Sequence, residues 1–150
     1  MALLGTFEGR MDPQARVVIP QKFREAVEGG MILARGLDKC IEVYPPAEWE
    51  KVASRVKQFP TLLTDARLLR QMTFANAFPA NADRQGRVVM PAYLRQYAGI
   101  VDEVVMTGED TFFGIWSPEQ WDAQQAKAGD LASIAAALER DAANLERGRA

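Results

Sequence analysis

Residues 12–20 read DPQARVVIP and residues 83–91 read DRQGRVVMP. The acid, the glutamine, the arginine, both valines and the proline recur in the same order. Sliding residues 78–95 onto 7–24 also aligns Phe7 with Phe78 and Arg24 with Arg95, which makes eight identities in 18 positions. Self-similarity at a fixed period marks a duplicated structural unit. After a one-residue insertion the register continues, pairing Gly36 with Gly108, Asp38 with Asp110, Pro46 with Pro118 and Trp49 with Trp121, so the unit spans about 45 residues.

Both copies have the same local grammar. Alternation over Thr6–Met11 predicts a strand, Asp12–Ala15 has the Asp-Pro opening of a type I turn, and Arg16–Ile19 is a β-branched strand stopped by Pro20. The repeated motif is thus expected at the bend of a hairpin. Pro20 suits the start of a short helix, QKFREAVEG, that ends at Gly29 and Gly30. A second hairpin follows: Met31–Arg35, a Gly36-Leu37-Asp38 turn, then Cys40–Tyr44. In the second copy its counterparts are Glu103–Thr107, Gly108-Glu109-Asp110 and Phe112–Trp116. Each half is expected to be a hairpin, a short helix and another hairpin.

Between the halves, Pro46 opens an amphipathic helix with Trp49, Val52, Ala53, Val56 and Phe59 at helical spacing, and a second helix is expected over Asp65–Asn76, with Leu69 and Met72 on one side and Arg67 and Arg70 on another. Beyond Trp121 the chain is Ala-rich and charged, and Leu131, Ile134, Leu138 and Leu145 recur at helical intervals. That tail fits either a surface helix or one that docks on a partner chain, and it lacks a basic cluster like those of the motifs. The expected segments are a first repeat over 5–50, connecting helices over 51–75, a second repeat over 76–122 and a helical tail over 123–150. No low-complexity linker divides the repeats, which implies one pseudo-symmetric body.

Composition narrows the chemistry. With 150 residues, 48% hydrophobic and 25% charged, the chain is long enough to bury a core without staples. The single Cys40 cannot form an internal disulfide, there is no CxxC, and the absence of histidine removes the usual zinc sets and the usual neutral-pH proton carrier. No metal and no cofactor are expected, and the cysteine usage points to a reducing cytoplasm. Neither a secretory signal nor a membrane span is apparent in MALLGTFEGR or beyond it. The formal charge of −2 means that any contact with nucleic acid must come from local clusters of Arg and Lys. Such clusters exist: residues 7–24 hold four basic side chains against two acidic, and 78–95 hold three against one. Trp49, Trp116 and Trp121 sit in apolar patterns and are expected in the core, and Cys40 is expected as a small buried hydrophobe.

The doubled D-x-x-x-R turn with its β-branched strand and Pro, the Gly-x-Asp turn, Tyr-Pro-x-x-x-Trp at 44–49 and Trp-Ser-Pro-x-x-Trp at 116–121 together resemble the MraZ family over nearly all of residues 5–122. The resemblance implies an α+β, mainly β fold: a duplicated SpoVT-AbrB-type β-barrel with pseudo-two-fold repeats, connecting helices and a helical tail. It also implies a cytoplasmic, nucleoid-associated bacterial transcriptional regulator. Such proteins assemble into homo-oligomeric rings and bind short G-rich direct repeats in double-stranded DNA ahead of the division and cell-wall gene cluster. The family's DNA-binding motif falls on Asp12 with Arg16 and on Asp83 with Arg87. Two departures bear on it. Ala15 stands where the second copy has Gly86, which disfavours a positive-φ turn and implies a first turn of different shape. Leu4 precedes Gly5 where the family often has a basic residue, which removes one candidate phosphate contact.

The residue chemistry is compatible with that implication. An arginine fork can meet guanine O6 and N7 together, and a two-stranded ribbon or its turn fits the major groove, so Arg16 and Arg87 suit base reading. Aspartate four residues earlier can hold the guanidinium or accept turn amides. Arg10, Lys22 and Arg24, with Arg84 and Arg95, are candidates for phosphate contacts that position without specifying. An ion pair that merely closes each turn, worth ~0.2–1 kcal/mol, is the plainer alternative, and duplication favours a further role. One Asp per half is also the plan of an aspartic-protease dyad. An Arg beside each Asp opposes the shared proton such a dyad needs, however, and the Thr/Ser-Gly that should follow each Asp is absent, so an enzyme is not expected. An antitoxin-like or scaffold module of the same fold superfamily, acting on another protein, stays open as an alternative.

Overall fold

The structure, a computed structural model, describes residues 2–149. Ala150, at the end of the expected tail, and the Arg149 side chain lie outside the described residues. Two compact units are present, Met1–Gln120 and Trp121–Ala150.

The first unit is α+β and dominated by antiparallel sheet, as expected. In chain order it contains β1 (Thr6–Arg10), β2 (Arg16–Val18), α1 (Gln21–Arg24) running into a 3-10 turn at Glu25–Val27, β3 (Met31–Arg35) and β4 (Ile41–Tyr44). Next come α2 (Pro46–Gln58), α3 (Thr64–Ala75), β5 (Phe78–Ala80), β6 (Arg87–Val89), α4 (Ala92–Ala98), β7 (Glu103–Gly108) and β8 (Phe113–Trp116). A helix α5 (Pro118–Ala128) begins at the end of this unit, and α6 (Leu131–Arg149) belongs to the second. On α6, Leu131, Leu138 and Leu145 are exposed.

The strands form a six-stranded sheet in the order β1-β7-β8-β4-β3-β5 and a separate ribbon of β2 with β6. Exchanging the halves exchanges β1 with β5, β3 with β7 and β4 with β8, and the six-stranded order then reads the same backwards. The pseudo-two-fold axis passes between Val17 and Val88 in the ribbon and between Glu42 and Gly114 in the large sheet, since both are register pairs of equivalent positions.

This topology corrects the expected hairpins at the repeated motif. The β1 strand pairs with β7 and β2 pairs with β6, so strands that follow one another in sequence lie in different sheets. The reason is local. One closing bond forms, Asp12 N–H to Arg16 O at 2.9 Å, but the Arg16 N–H that would continue a ladder is taken by Asp12 Oδ1 at 2.9 Å. A side chain that outcompetes the backbone in this way ends the pairing. Asp83 does the same to Arg87. Freed from its neighbour, each strand pairs across the halves. The second hairpins, β3 with β4 and β7 with β8, form as expected.

The core lies between sheet and ribbon. Val17 and Ile19 from one half meet Val88 and Met90 from the other, with Phe23, Leu94, Ile41, Phe113 and Ile115 fully buried around them. Phe23 is central: its ring lies 5.1 Å from Phe7 edge-on and 4.9 Å from Phe113. Trp116 is buried and donates from Nε1 to Thr107 Oγ1. Trp49 is half-buried, 5.6 Å from Tyr44 and 6.1 Å from Phe74, and Trp121 is half-buried as well. Cys40 is buried, and burial, followed by the nearby Glu42, Glu109 and Asp38 charges, pushes its thiol far above the ordinary range. Such a thiol is unreactive. Phe59 does not extend α2: the helix stops at Gln58 and Phe59 is extended, because Pro60 excludes the helical region for the residue before it. Phe59 is exposed.

The two motif turns have one shape despite Ala15, which corrects the other expectation. Ala15 takes φ 59° and Gly86 takes φ 77°. In each, the turn opens with the Asp carbonyl accepting the N–H three residues on, Ala15 at 2.9 Å and Gly86 at 3.0 Å. A three-residue loop closing through a left-handed residue is a common way to reverse a chain. The surroundings override the alanine's preference, because the Ala15 carbonyl must receive Met90 N–H at 2.8 Å while the Gly86 carbonyl receives Ile19 N–H at 2.7 Å. Replacing Ala15 with Gly removes left-handed strain that exceeds the backbone entropy glycine loses, and is expected to stabilise the fold by ~0.5–1 kcal/mol. Gly86→Ala is expected to cost ~1–3 kcal/mol, since its Cβ would also sit 2.5 Å from Arg24 Nε. Thermal melts of the two variants check both signs; equal destabilisation by both would show that the turns are not equivalent.

Candidate nucleic-acid interface

Each motif aspartate organises its own turn. Asp12 Oδ1 accepts the backbone N–H of Gln14 and of Arg16, both at 2.9 Å, and its Oδ2 accepts Arg16 Nε at 2.7 Å. Asp83 repeats this with Gln85 and Arg87 at 2.9 Å and Arg87 Nε at 2.8 Å. With Nε held, Nη1 and Nη2 are the edge left to meet a ligand. In the first turn Arg16 Nη2 also donates to Gln14 Oε1 at 3.1 Å. Gln14 and Gln85 were not among the expected site residues, although their recurrence in both motifs was the available signal.

The carboxyls respond to these bonds. At Asp12 partial desolvation works against ionisation, but the Arg16 backbone N–H, the Arg16 guanidinium and the Gln14 N–H outweigh it and set the pKa below the ordinary carboxylate value. At Asp83 the Arg87 backbone bond leads, and the result is again a lowered value. A proton-sharing dyad needs one raised carboxyl, the opposite of what both sites have. Among the described residues no cluster of His, Cys, Asp and Glu could hold a metal ion, and no helix is long and apolar enough to cross a membrane.

The ribbon brings the two arginines to one place. Arg16 is in register with Val89, Val17 with Val88 and Val18 with Arg87. Side chains alternate across a strand, so with Val17 and Val88 buried, the opposite face carries Arg16, Val18, Arg87 and Val89. That face combines residues from both halves.

The other expected residues fall into three kinds. Lys22 on α1 and Arg84 in the second turn are exposed and form no ion pair among the described residues. Arg24 and Arg95 are half-buried, and their Nε groups donate to the carbonyls of Ile19 and Met90 at 2.9 Å each. They strap the ends of the ribbon strands and keep Nη groups besides; Arg24 Nη1 reaches Gln21 at 3.3 Å. Arg10 is engaged by carboxylates, Asp102 at 3.1 Å and Glu103 at 2.9 Å, across the β1/β7 pair. Its charge is largely compensated where it lies. Leu4 is exposed beside the buried Leu3.

Comparison with known proteins fits this doubled arrangement. The family model described as "MraZ protein, putative antitoxin-like" matches residues 2–71 and again 73–145. The chain is 41% identical over 136 residues to a protein of Thermomicrobium roseum named Transcriptional regulator MraZ, covering 90% of this chain and 96% of that one. Proteins of the same name from Herpetosiphon aurantiacus and Desulforamulus reducens are 42% identical over 118 residues and 38% over 125, covering 82% and 88% of their own lengths. On two successive family matches and relatives aligned nearly end to end, the chain belongs to the MraZ family.

Proposed function

We propose that this chain is a sequence-specific, DNA-binding transcriptional regulator, a binding protein and not an enzyme. It reads base edges in the major groove with Arg16 and Arg87. The observation that carries this is the pair of arginines on the solvent face of one two-stranded ribbon, each fixed through Nε by an aspartate of its own turn. A ribbon of that width enters the major groove, and a held guanidinium presents two parallel donors to guanine O6 and N7. The relatives' shared name supports the regulatory role.

Lys22, Arg84 and the Nη groups of Arg24 and Arg95 supply phosphate contacts around that centre, and Arg10 adds to them at its edge. The target is short G-rich direct repeats in double-stranded DNA ahead of a division and cell-wall gene cluster, and the protein works in the cytoplasm at the nucleoid. One ribbon with two reading arginines covers too little DNA for tight specific binding, so several copies act together, probing successive repeats with the gain that linked sites provide. A closed homo-oligomeric ring satisfies this. Light scattering at micromolar concentration is expected to give a mass above that of a dimer; a monomer alone would remove the basis for repeat binding.

The decisive measurement is a titration of duplex DNA from upstream of the chain's own gene against scrambled duplex of equal length, at several salt concentrations. Arg16→Ala and Arg87→Ala are each expected to cost ~1–3 kcal/mol on the upstream duplex and to relax preference at one base position. Arg87 is expected to matter at least as much as Arg16, whose Nη2 is already shared with Gln14. Lys22→Ala is the cleaner phosphate probe, because Arg24→Ala would also release the Ile19 carbonyl. It is expected to weaken both duplexes alike and to flatten the log-log salt slope by about 0.9 for each phosphate no longer neutralised. If neither turn arginine affects preference in an intact oligomer, the motif is only a turn closure. An absence of specific retardation with wild type favours the alternative of an antitoxin-like module that acts on another protein; of this, the family's description has the word antitoxin-like.

A further inference from the structure

The ribbon face holds two side chains that the arginine scheme leaves unused. Val18 is 48% exposed and Val89 50%, while their neighbours Val17 and Val88 are at 0% and 1%. Isolated surface valines are ordinary. These two, however, occupy half of a four-residue face whose other half is Arg16 and Arg87, and no acidic or amide side chain stands in those strands. Each valine lies directly across the ribbon from the other half's arginine, Val18 from Arg87 and Val89 from Arg16. Directly opposed residues have Cβ atoms ~4.5–5.5 Å apart. The two arginine–valine pairs are related by the pseudo-two-fold axis and are two residues apart along the strands, about 6.6–6.8 Å. That spacing is about twice the 3.4 Å rise per base.

A face of forked donors alternating with methyl groups has a definite complement. In the major groove guanine offers two acceptors and thymine offers a C5-methyl beside its O4 acceptor, whereas cytosine has only a hydrogen at C5, beside its N4 donor. A valine pressed on thymine buries apolar surface on both sides. Against cytosine that methyl is missing, and the burial it contributes is lost. Resting on the DNA-reading assignment above, we propose that Val18 and Val89 are specificity-determining residues that pack on thymine methyl groups, each within about two base steps of the guanine met by the arginine opposite. The ribbon would then read a mixed guanine and thymine pattern, with the methyl contacts supplying selectivity that the arginines cannot.

The test uses the intact full-length protein and a duplex enriched by it from a random-sequence pool. Each thymine of that duplex is replaced in turn by uracil, which removes the 5-methyl and nothing else. With wild type, one or two positions near the guanines identified by Arg16→Ala and Arg87→Ala are expected to lose about fourfold in affinity, the effect of one buried methyl-sized group. Val18→Ala and Val89→Ala are each expected to abolish the uracil penalty at one of those positions while binding the uracil duplex as wild type does. Uracil tolerated at every position by wild-type protein that still selects its duplex overturns this proposal and leaves the arginine assignment standing. An unchanged penalty in the Val18→Ala/Val89→Ala double variant overturns it too. If the pool yields no enriched sequence, the DNA-reading assignment itself fails, and this inference with it. The uracil series on wild type needs no variant to fold.

Discussion

The fold depends on two backbone hydrogen bonds that cross between the halves, Ile19 N–H to Gly86 O and Met90 N–H to Ala15 O. Each ties the end of one half's ribbon strand to the left-handed residue of the other half's turn. With β1 on β7 and β5 on β3, they make the two copies of the repeat mutually dependent. Neither half alone can form its motif turn against a ribbon partner, bury Val17 or Val88, or cover Phe23. The placement of Arg16 relative to Arg87 is therefore set by a shared core and not by the flexibility of two separate loops. Rigid presentation reduces the ordering cost that any ligand of this face must overcome.

The aspartates act at a smaller scale and in the same direction. A free arginine loses considerable rotamer freedom when a ligand immobilises it, whereas here Nε is already held and the turn amides are satisfied. The charge state matters to this arrangement. Because both carboxyls are lowered from their ordinary value in the folded protein, the turn order they contribute is complete above the ordinary carboxylate range. It fades only as the pH falls through the depressed values. Across the neutral range the turns are locked. Arg24 and Arg95 show that a basic residue near the motif can be structural through one nitrogen and available through the others.

Much of this was legible in the sequence because duplication amplifies weak signals. One D-x-x-x-R is commonplace, but two in register with Pro and Arg behind them locate both turns and both arginines. The second hairpins were legible for the same reason, with Gly36 and Gly108 marking their bends. Partner exchange was not legible. Whether Arg16–Val18 folds back on β1 or crosses to β6 depends on a competition between Asp12 Oδ1 and a backbone carbonyl, and composition does not register it. Ala15 misled for a related reason: propensity argues against φ 59°, and a tertiary hydrogen bond to Met90 overrides it. In the sequence Val18 and Val89 are legible only as strand residues, since a run of adjacent valines does not reveal which one the core claims.

The pseudo-two-fold axis passes between Glu42 and Gly114, and these equivalent positions have diverged as far as side chains can. A Cβ on Gly114 would lie 2.8 Å from Trp116 Nε1 and 3.0 Å from Thr107 Oγ1, and burial, opposed by the Tyr44 hydroxyl bond, raises the Glu42 carboxyl above its ordinary value. Two separate identical subunits meeting on such an axis would have to place the same residue on both sides: two partly buried glutamates repelling one another, or two glycines leaving a gap. Joining both copies in one polypeptide lifts that restriction. Tandem fusion gives the chain an address for each copy, so that substitutions forbidden by symmetry in an assembly of equals become available one at a time.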